Sequence, residues 1–222
     1  MNRITFVVGH FGSGKTEFAV NYAQHLAKTT PQVTLIDMDI ANPYFRSYDV
    51  RDQLEAAGVT VINGGYIHQA DLPSLSPEAY RVFTDTAITG IFDVGGNDNG
   101  ARVLGYYSEE IDQTHPEVWC VINPMRPETA TVEKTRQMIK RIEAAARTKV
   151  TSLILNAHMF EHTTSRDINE AYAAFKIFEN VDALPLKYVM IHSQVQKKDI
   201  QVPEALLFTI DTYMQKPWET ER

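Results

Sequence analysis

The densest chemical signal near the amino end is the run Gly9-His10-Phe11-Gly12-Ser13-Gly14-Lys15-Thr16. It fits the spacing G-x-x-x-x-G-K-[S/T]. The glycines of such a loop let successive backbone N–H groups turn inward around phosphate oxygens. The lysine supplies a point charge to the outer phosphates, and the hydroxyl after it is a Mg²⁺ ligand. A short motif gains meaning from its setting. Here an apolar, β-branched run, Ile4 to Val8, leads in, and an amphipathic helical period leads out. The spacing therefore predicts binding of a nucleoside triphosphate with Mg²⁺. Gly9, His10, Phe11, Gly12, Ser13, Gly14, Lys15 and Thr16 would surround the phosphates, and Lys15 would also act in catalysis.

Triphosphate chemistry needs a further acid near the metal and, for hydrolysis, a group that orients water. Three aspartates stand where strand-like runs end, which is where an open α/β sheet collects ligands. Asp37 and Asp39 follow the second run and Asp93 lies within the fourth. A carboxylate inside an apolar run is expensive unless it pairs or holds a metal, so Asp93 and the Asp37/Asp39 pair are expected in the metal shell. Asp93-Val94-Gly95-Gly96 also has the D-x-x-G form of a segment able to sense an outer phosphate.

These residues need elements to hold them. Short apolar runs recur at Ile4 to Val8, Val33 to Ile36, Val59 to Ile62, Ile91 to Val94, Val118 to Ile122, Leu153 to Leu155 and Tyr188 to Ile191. Continuous apolar runs suit strands buried on both faces. Helical periods lie between them: Phe18 to Leu26, Val132 to Ala146 and Ile168 to Phe178. The alternation predicts a single α/β domain spanning the whole chain, a three-layer doubly wound, mainly parallel sheet of about seven strands. The polar, Pro- and Ser-containing stretch Tyr66 to Pro77 reads as a long loop available to a substrate or partner.

The set Gly9 to Thr16, Asp37-Met38-Asp39-Ile40-Ala41-Asn42-Pro43 and Asp93-Val94-Gly95-Gly96 resembles the MinD/ParA/CobQ-like class of P-loop NTPases, and CobQ-like ATP-binding proteins in particular. The resemblance covers the nucleotide core. It implies that Asp37 assists Mg²⁺ alongside Thr16 and Asp93, and that Asp39 positions the attacking water. It also implies that Asn156, directly after the sixth strand, contacts the base. The guanine-reading N-K-x-D pattern is absent from Asn156-Ala157-His158-Met159, so adenine, and hence ATP, is favoured. Many members of the class carry an early lysine in the loop that reaches across a homodimer. Here His10 and Phe11 occupy that region. A histidine can donate a hydrogen bond but is a weak substitute for a fixed charge. Arg46 and Arg102, each after a switch-like segment, are alternative sources of that charge.

Other features point less far. His158, Glu161 and His162 have metal-compatible spacing, but no third ligand is in view and a surface loop is the better reading. Pro203 to Met214 is apolar without the basic face of a membrane-binding helix, so core packing is expected. The chain has 222 residues, a net charge of −7 and one cysteine, Cys120. The acidity argues against a nucleic-acid partner. A single cysteine is too few for a cluster bridged by two cysteines per subunit. No apolar run is long enough to span a bilayer, and the amino end enters a strand without a leader-like pattern. The expected setting is cytoplasmic, without a membrane partner. Three roles fit: an ATP-driven switch for an unknown protein partner, a CobQ/dethiobiotin-synthetase-like ligase that activates the carboxylate of a small substrate, or a non-catalytic ATP-binding module.

Overall fold

The computed structural model describes residues 2–39, 47–64, 76–159 and 162–214. Eight strands form one sheet. They are β1 (Ile4–Gly9), β2 (Val33–Met38), β3 (Val59–Asn63), β4 (Thr89–Val94), β5 (Glu117–Ile122), β6 (Ser152–Leu155), β7 (Leu186–His192) and β8 (Leu207–Ile210). Their order is β3-β2-β4-β1-β5-β6-β7-β8, and every pairing is parallel. The chain leaves β1 toward one edge, returns at β4, and then builds outward on the other side from β5. That reversal beside β1 makes the carboxyl end of β1 the natural place for a ligand.

The expected seven strands are all present, and an eighth joins them. Within the apolar Pro203 to Met214 stretch, Leu207–Ile210 forms β8 at the sheet edge. Core packing was the right expectation there, since Phe208 and Ile210 are buried. A run of only four residues, with Thr209 exposed, carries too little periodicity to announce a strand.

Helices cover both faces. On one side lie α1 (Lys15–Ala27) and α2 (Arg51–Ala56). Phe18, Tyr22 and Leu54 pack there against Val7, Leu35, Ile91, Trp119 and Ile154. On the other lie α3 (Pro77–Thr84), α4 (Asn97–Arg102), α5 (Ser108–Thr114), α6 (Val132–Ala146), α7 (Ser165–Phe175) and α8 (Ile177–Val181). Their apolar faces meet Phe6, Val8, Ile36, Phe92, Cys120 and Leu155. Neighbouring residues of β1 thus point to opposite layers: Phe6 and Val8 to one, Val7 to the other. This is the period of two expected of a strand buried on both faces.

Local chemistry sets the helix ends. Thr131 caps α6 by accepting from the Lys134 N–H at 3.2 Å. Thr164 and Asp167 form a reciprocal capping box on α7. Ser76 caps α3, with Pro77 in its first turn. The long-loop reading of Tyr66 to Pro77 therefore ends earlier than expected, because Pro77 already belongs to a helix; residues 66–75 lie outside the described residues. The expected Ile168 to Phe178 helix is two helices, α7 and α8, meeting at Lys176. Among the described residues no helix is long and apolar enough to cross a membrane.

Candidate nucleotide site

The loop between β1 and α1 has the backbone that the glycine spacing requires. Gly9, Gly12 and Gly14 have φ values of 145°, 68° and 93°, in the region open to glycine. Close contacts add a second constraint at two of them. A Cβ on Gly9 would stand 2.4 Å from the Val121 carbonyl oxygen, and one on Gly14 would stand 2.3 Å from Asn156 Nδ2. Gly14 is the residue before α1, so the loop delivers the helix's amino end, with its outward N–H groups, to the cradle. The loop also holds itself together. Ser13 N–H donates to the His10 carbonyl at 3.2 Å, and Lys15 Nζ donates to the same oxygen at 3.1 Å.

Two side chains from the neighbouring strand ends brace this loop. Asn156, after β6, donates through Nδ2 to the Ser13 carbonyl at 2.8 Å. Arg126, in the β5–α6 connection, donates through Nε to the Gly12 carbonyl at 3.2 Å. Asn156, expected to contact the base, lines the pocket, and one N–H of its amide braces the loop. Arg126 carried no sequence signal, because its place beside the loop follows from β5 pairing with β1.

The acids gather below the loop. In register across the sheet, Asp93 of β4 lies between Val7 of β1 and Asp37 of β2. Asp37 Oδ1 accepts from the Asp39 N–H at 3.1 Å, which turns the chain as it leaves the strand. Asp93 is fully buried, and neither carboxyl oxygen has a hydrogen-bond partner of normal geometry. Burial, aided by the nearby Asp37 charge, pushes its pKa up to about 8. Lys15 and the Thr16 hydroxyl work against that rise without cancelling it. Lys15 is itself buried, and desolvation lowers its pKa even though Asp93 and Asp39 favour its charge. The thiol of Cys120 beneath is held neutral, its pKa raised to about 12 by burial.

A carboxyl with two unsatisfied buried oxygens beside a hydroxyl is a donor set that suits a hard divalent cation. Thr16, Asp37 and Asp93 are the residues that would hold Mg²⁺. Among the described residues no group of three or more His, Cys, Asp or Glu is arranged as a protein-only metal site. His158 and His162 accordingly form no metal site among the described residues. His158 instead stacks on His192, with ring centroids 6.3 Å apart.

A pocket of about 240 Å³ opens from the loop and is lined by Gly12, Gly14, Lys15, Thr16, Asp39, Asn156, His158, His192, Thr212 and Met214, among others. Its far wall comes from residues outside any sequence motif. The Gln194 N–H donates to His192 Nδ1 at 3.2 Å, and His192 Nε2 lies 2.7 Å from Thr212 Oγ1. Nδ1 is therefore the acceptor, and Nε2–H donates to the threonine. The wall is held against α1: Glu17 accepts from the N–H groups of Tyr213 and Met214 at 2.6 and 3.2 Å. Asn21 exchanges two hydrogen bonds with Asp211.

The D-x-x-G segment closes the near side. A Cβ on Gly95 would approach Asp39 Oδ1 to 3.0 Å, and one on Gly96 would lie 2.8 Å from the Phe11 ring and 3.1 Å from Lys15 Nζ. Of the two arginines named as sources of a missing charge, Arg102 lies at the end of α4 and lines a separate cavity. Arg46 is outside the described residues, as are residues 40–43 of the second acidic motif.

The fold is that of the P-loop NTPases. Similar solved structures include the signal recognition particle receptor FtsY from Elizabethkingia anophelis, with a TM-score of 0.56, 21% identity, and coverage of 91% of this chain and 61% of that one. The cell division protein FtsY from Thermotoga maritima aligns with a TM-score of 0.58 at 20% identity, covering 88% and 62%. The signal recognition particle 54 kDa protein from Aeropyrum pernix K1, in complex with GDP, aligns with a TM-score of 0.53 at 21% identity, covering 88% and 42%. The chain thus spans less than two thirds of the length of these neighbours. No family model matches the chain, and no curated protein does.

Proposed function

We propose that this chain binds a nucleoside triphosphate with Mg²⁺, ATP in preference to GTP, and uses its hydrolysis to switch an interaction with a partner. The observation that carries this reading is the buried Asp93 carboxyl. It stands without a hydrogen-bond partner at the side of a glycine cradle that already holds Lys15 and Thr16. A structural core has no use for such a group, whereas a cation site does.

The chain's own residues divide the work. The turned backbone of Gly12 to Gly14 and the first N–H groups of α1 bind phosphate oxygens. Lys15 places a desolvated positive charge among them, where it acts more strongly than in water. Thr16, Asp37 and Asp93 hold the metal, and Asp93 must release its proton to do so. Mg²⁺ held there would neutralise charge along the polyphosphate. Asp39, at the pocket wall beside Gly95, orients water. Gly95 and Gly96 lie against Asp39, Phe11 and Lys15, so a change at the outer phosphate reaches α4 directly. Helix α4 is then the switch element.

Preference for adenine rests on the missing N-K-x-D pattern. The A. pernix neighbour carries GDP, which makes guanine the competing reading. Calorimetric titration with ATP and with GTP, each with and without Mg²⁺, separates them. Tighter Mg²⁺-dependent binding of ATP is expected; tighter binding of GTP reverses the base assignment. Phosphate release by the wild-type chain should fall about a hundredfold or more in Lys15→Ala. Tight nucleotide binding without release under any condition would leave a non-catalytic module.

A further inference from the structure

A second cavity lies apart from the nucleotide pocket. It is a cleft of about 520 Å³ between α4 with the 3₁₀ turn after it, Val103–Tyr107, and the carboxyl end of α6. Three arginines line it: Arg102 closing α4, Arg141 on α6, and Arg147 in the turn that ends α6. None makes an ion pair with any described residue. The lining includes one carboxylate, Asp98, and the exposed ring of Tyr106. Its floor is small by necessity. A Cβ on Gly105 would stand 3.1 Å from the Ala145 carbonyl oxygen and 3.5 Å from the Arg147 stem.

Charge is concentrated here against the trend of the molecule. Positions 132–149 contain six basic and two acidic residues, in a chain of net charge −7. Like charges gathered around a concavity repel one another unless an anion joins them. Arginine forks match phosphoryl and carboxylate oxygens in pairs, and the volume lies within the range of small-ligand sites.

We propose that this cleft binds a small polyanion, a molecule with at least two phosphoryl or carboxylate groups, and that α4 couples it to the nucleotide site. The coupling rests on the nucleotide reading above; the anion site does not. Helix α4 begins at Gly96, against Phe11 and Lys15, and ends at Arg102 in the cleft. Within it Gly100 packs back on the segment before the helix, where a Cβ would be only 2.1 Å from the Gly95 carbonyl oxygen. A six-residue helix so braced transmits a shift at one end to the other, and the effect must be reciprocal.

The test is calorimetric titration of the full chain at low ionic strength. The probes are citrate, for carboxylates, and inorganic pyrophosphate, for phosphoryl groups. At least one probe is expected to bind a site that survives Lys15→Ala and weakens about tenfold or more in Arg102→Ala and in Arg141→Ala. Both arginines are exposed, so these variants should fold. Binding that Lys15→Ala abolishes and the arginine variants leave intact would place the anion in the phosphate loop and overturn the proposal. So would capture of a polyglutamate peptide with no affinity for either small probe, which would make the cleft a protein-docking surface. An ATP affinity unchanged by saturating citrate would overturn the coupling through α4. The citrate titration needs no nucleotide, so the two readings fail separately.

Discussion

Asp93 is a buried carboxyl whose environment costs the free protein stability. Its folded-state pKa is raised to about 8 from an ordinary value near 3.8. Between those two values the folded free protein binds more protons than the unfolded chain. Its contribution to stability therefore falls as pH rises through that window and levels off above it. Asp93→Asn removes the buried charge. It is expected to raise the melting temperature of the free protein by several degrees at pH 8, with little change at pH 4, as measured by calorimetry. The same substitution should abolish the Mg²⁺ dependence of nucleotide binding. An unchanged dependence would remove Asp93 from the metal shell. Gly14 is the second residue on which the site depends. Gly14→Ala meets both a left-handed backbone and the Asn156 amide. Nucleotide affinity measured by titration should drop more than tenfold, since the cradle and its brace must part.

At the scale of elements, α1 joins the phosphate end of the pocket to its far wall. Its first residues receive the loop, and Glu17, Asn21 and Gln24, on one helical face, hold the segment after β8. Burial raises the Glu17 carboxyl above the ordinary range, while the two N–H groups it accepts pull it back. Glu17→Ala should release residues 211–214. Faster hydrogen exchange at the Tyr213 and Met214 amides is the expected sign, together with weaker nucleotide binding, because Thr212 and Met214 line the pocket. Unchanged exchange there would show that the segment is held by β8 alone. Helix α4 plays the opposite part. It is short and glycine-containing, and it meets the site through the closely packed Gly95 and Gly96 before it.

The molecule as a whole is a sheet buried on both faces, and the layer under α1 is rich in packed aromatic rings. Trp119 and Tyr22 are almost completely buried, with ring centroids 4.9 Å apart. Trp119→Ala is expected to cost roughly 3–5 kcal/mol in denaturant unfolding. A loss below about 1 kcal/mol would mean that the layer can collapse into the cavity. Much of this architecture was legible in the chain, because strands buried on both faces write continuous apolar runs and α6 writes a clean helical period. The short helices α2 to α5 and the edge strand β8 were not, since their lengths leave too little periodicity. The phosphate loop was legible for another reason. Its backbone needs positive φ at Gly9, Gly12 and Gly14, and glycine at set positions is a local requirement that sequence records directly. Likewise, acids placed at strand ends announced Asp37, Asp39 and Asp93. Which distant groups meet them depends on long-range packing. Arg126, His192 and Thr212 enter the pocket through strand order. Arg102, Arg141 and Arg147 share a cleft because α4 packs on α6. Such meetings depend on contacts between residues far apart in the chain, and no local pattern encodes them.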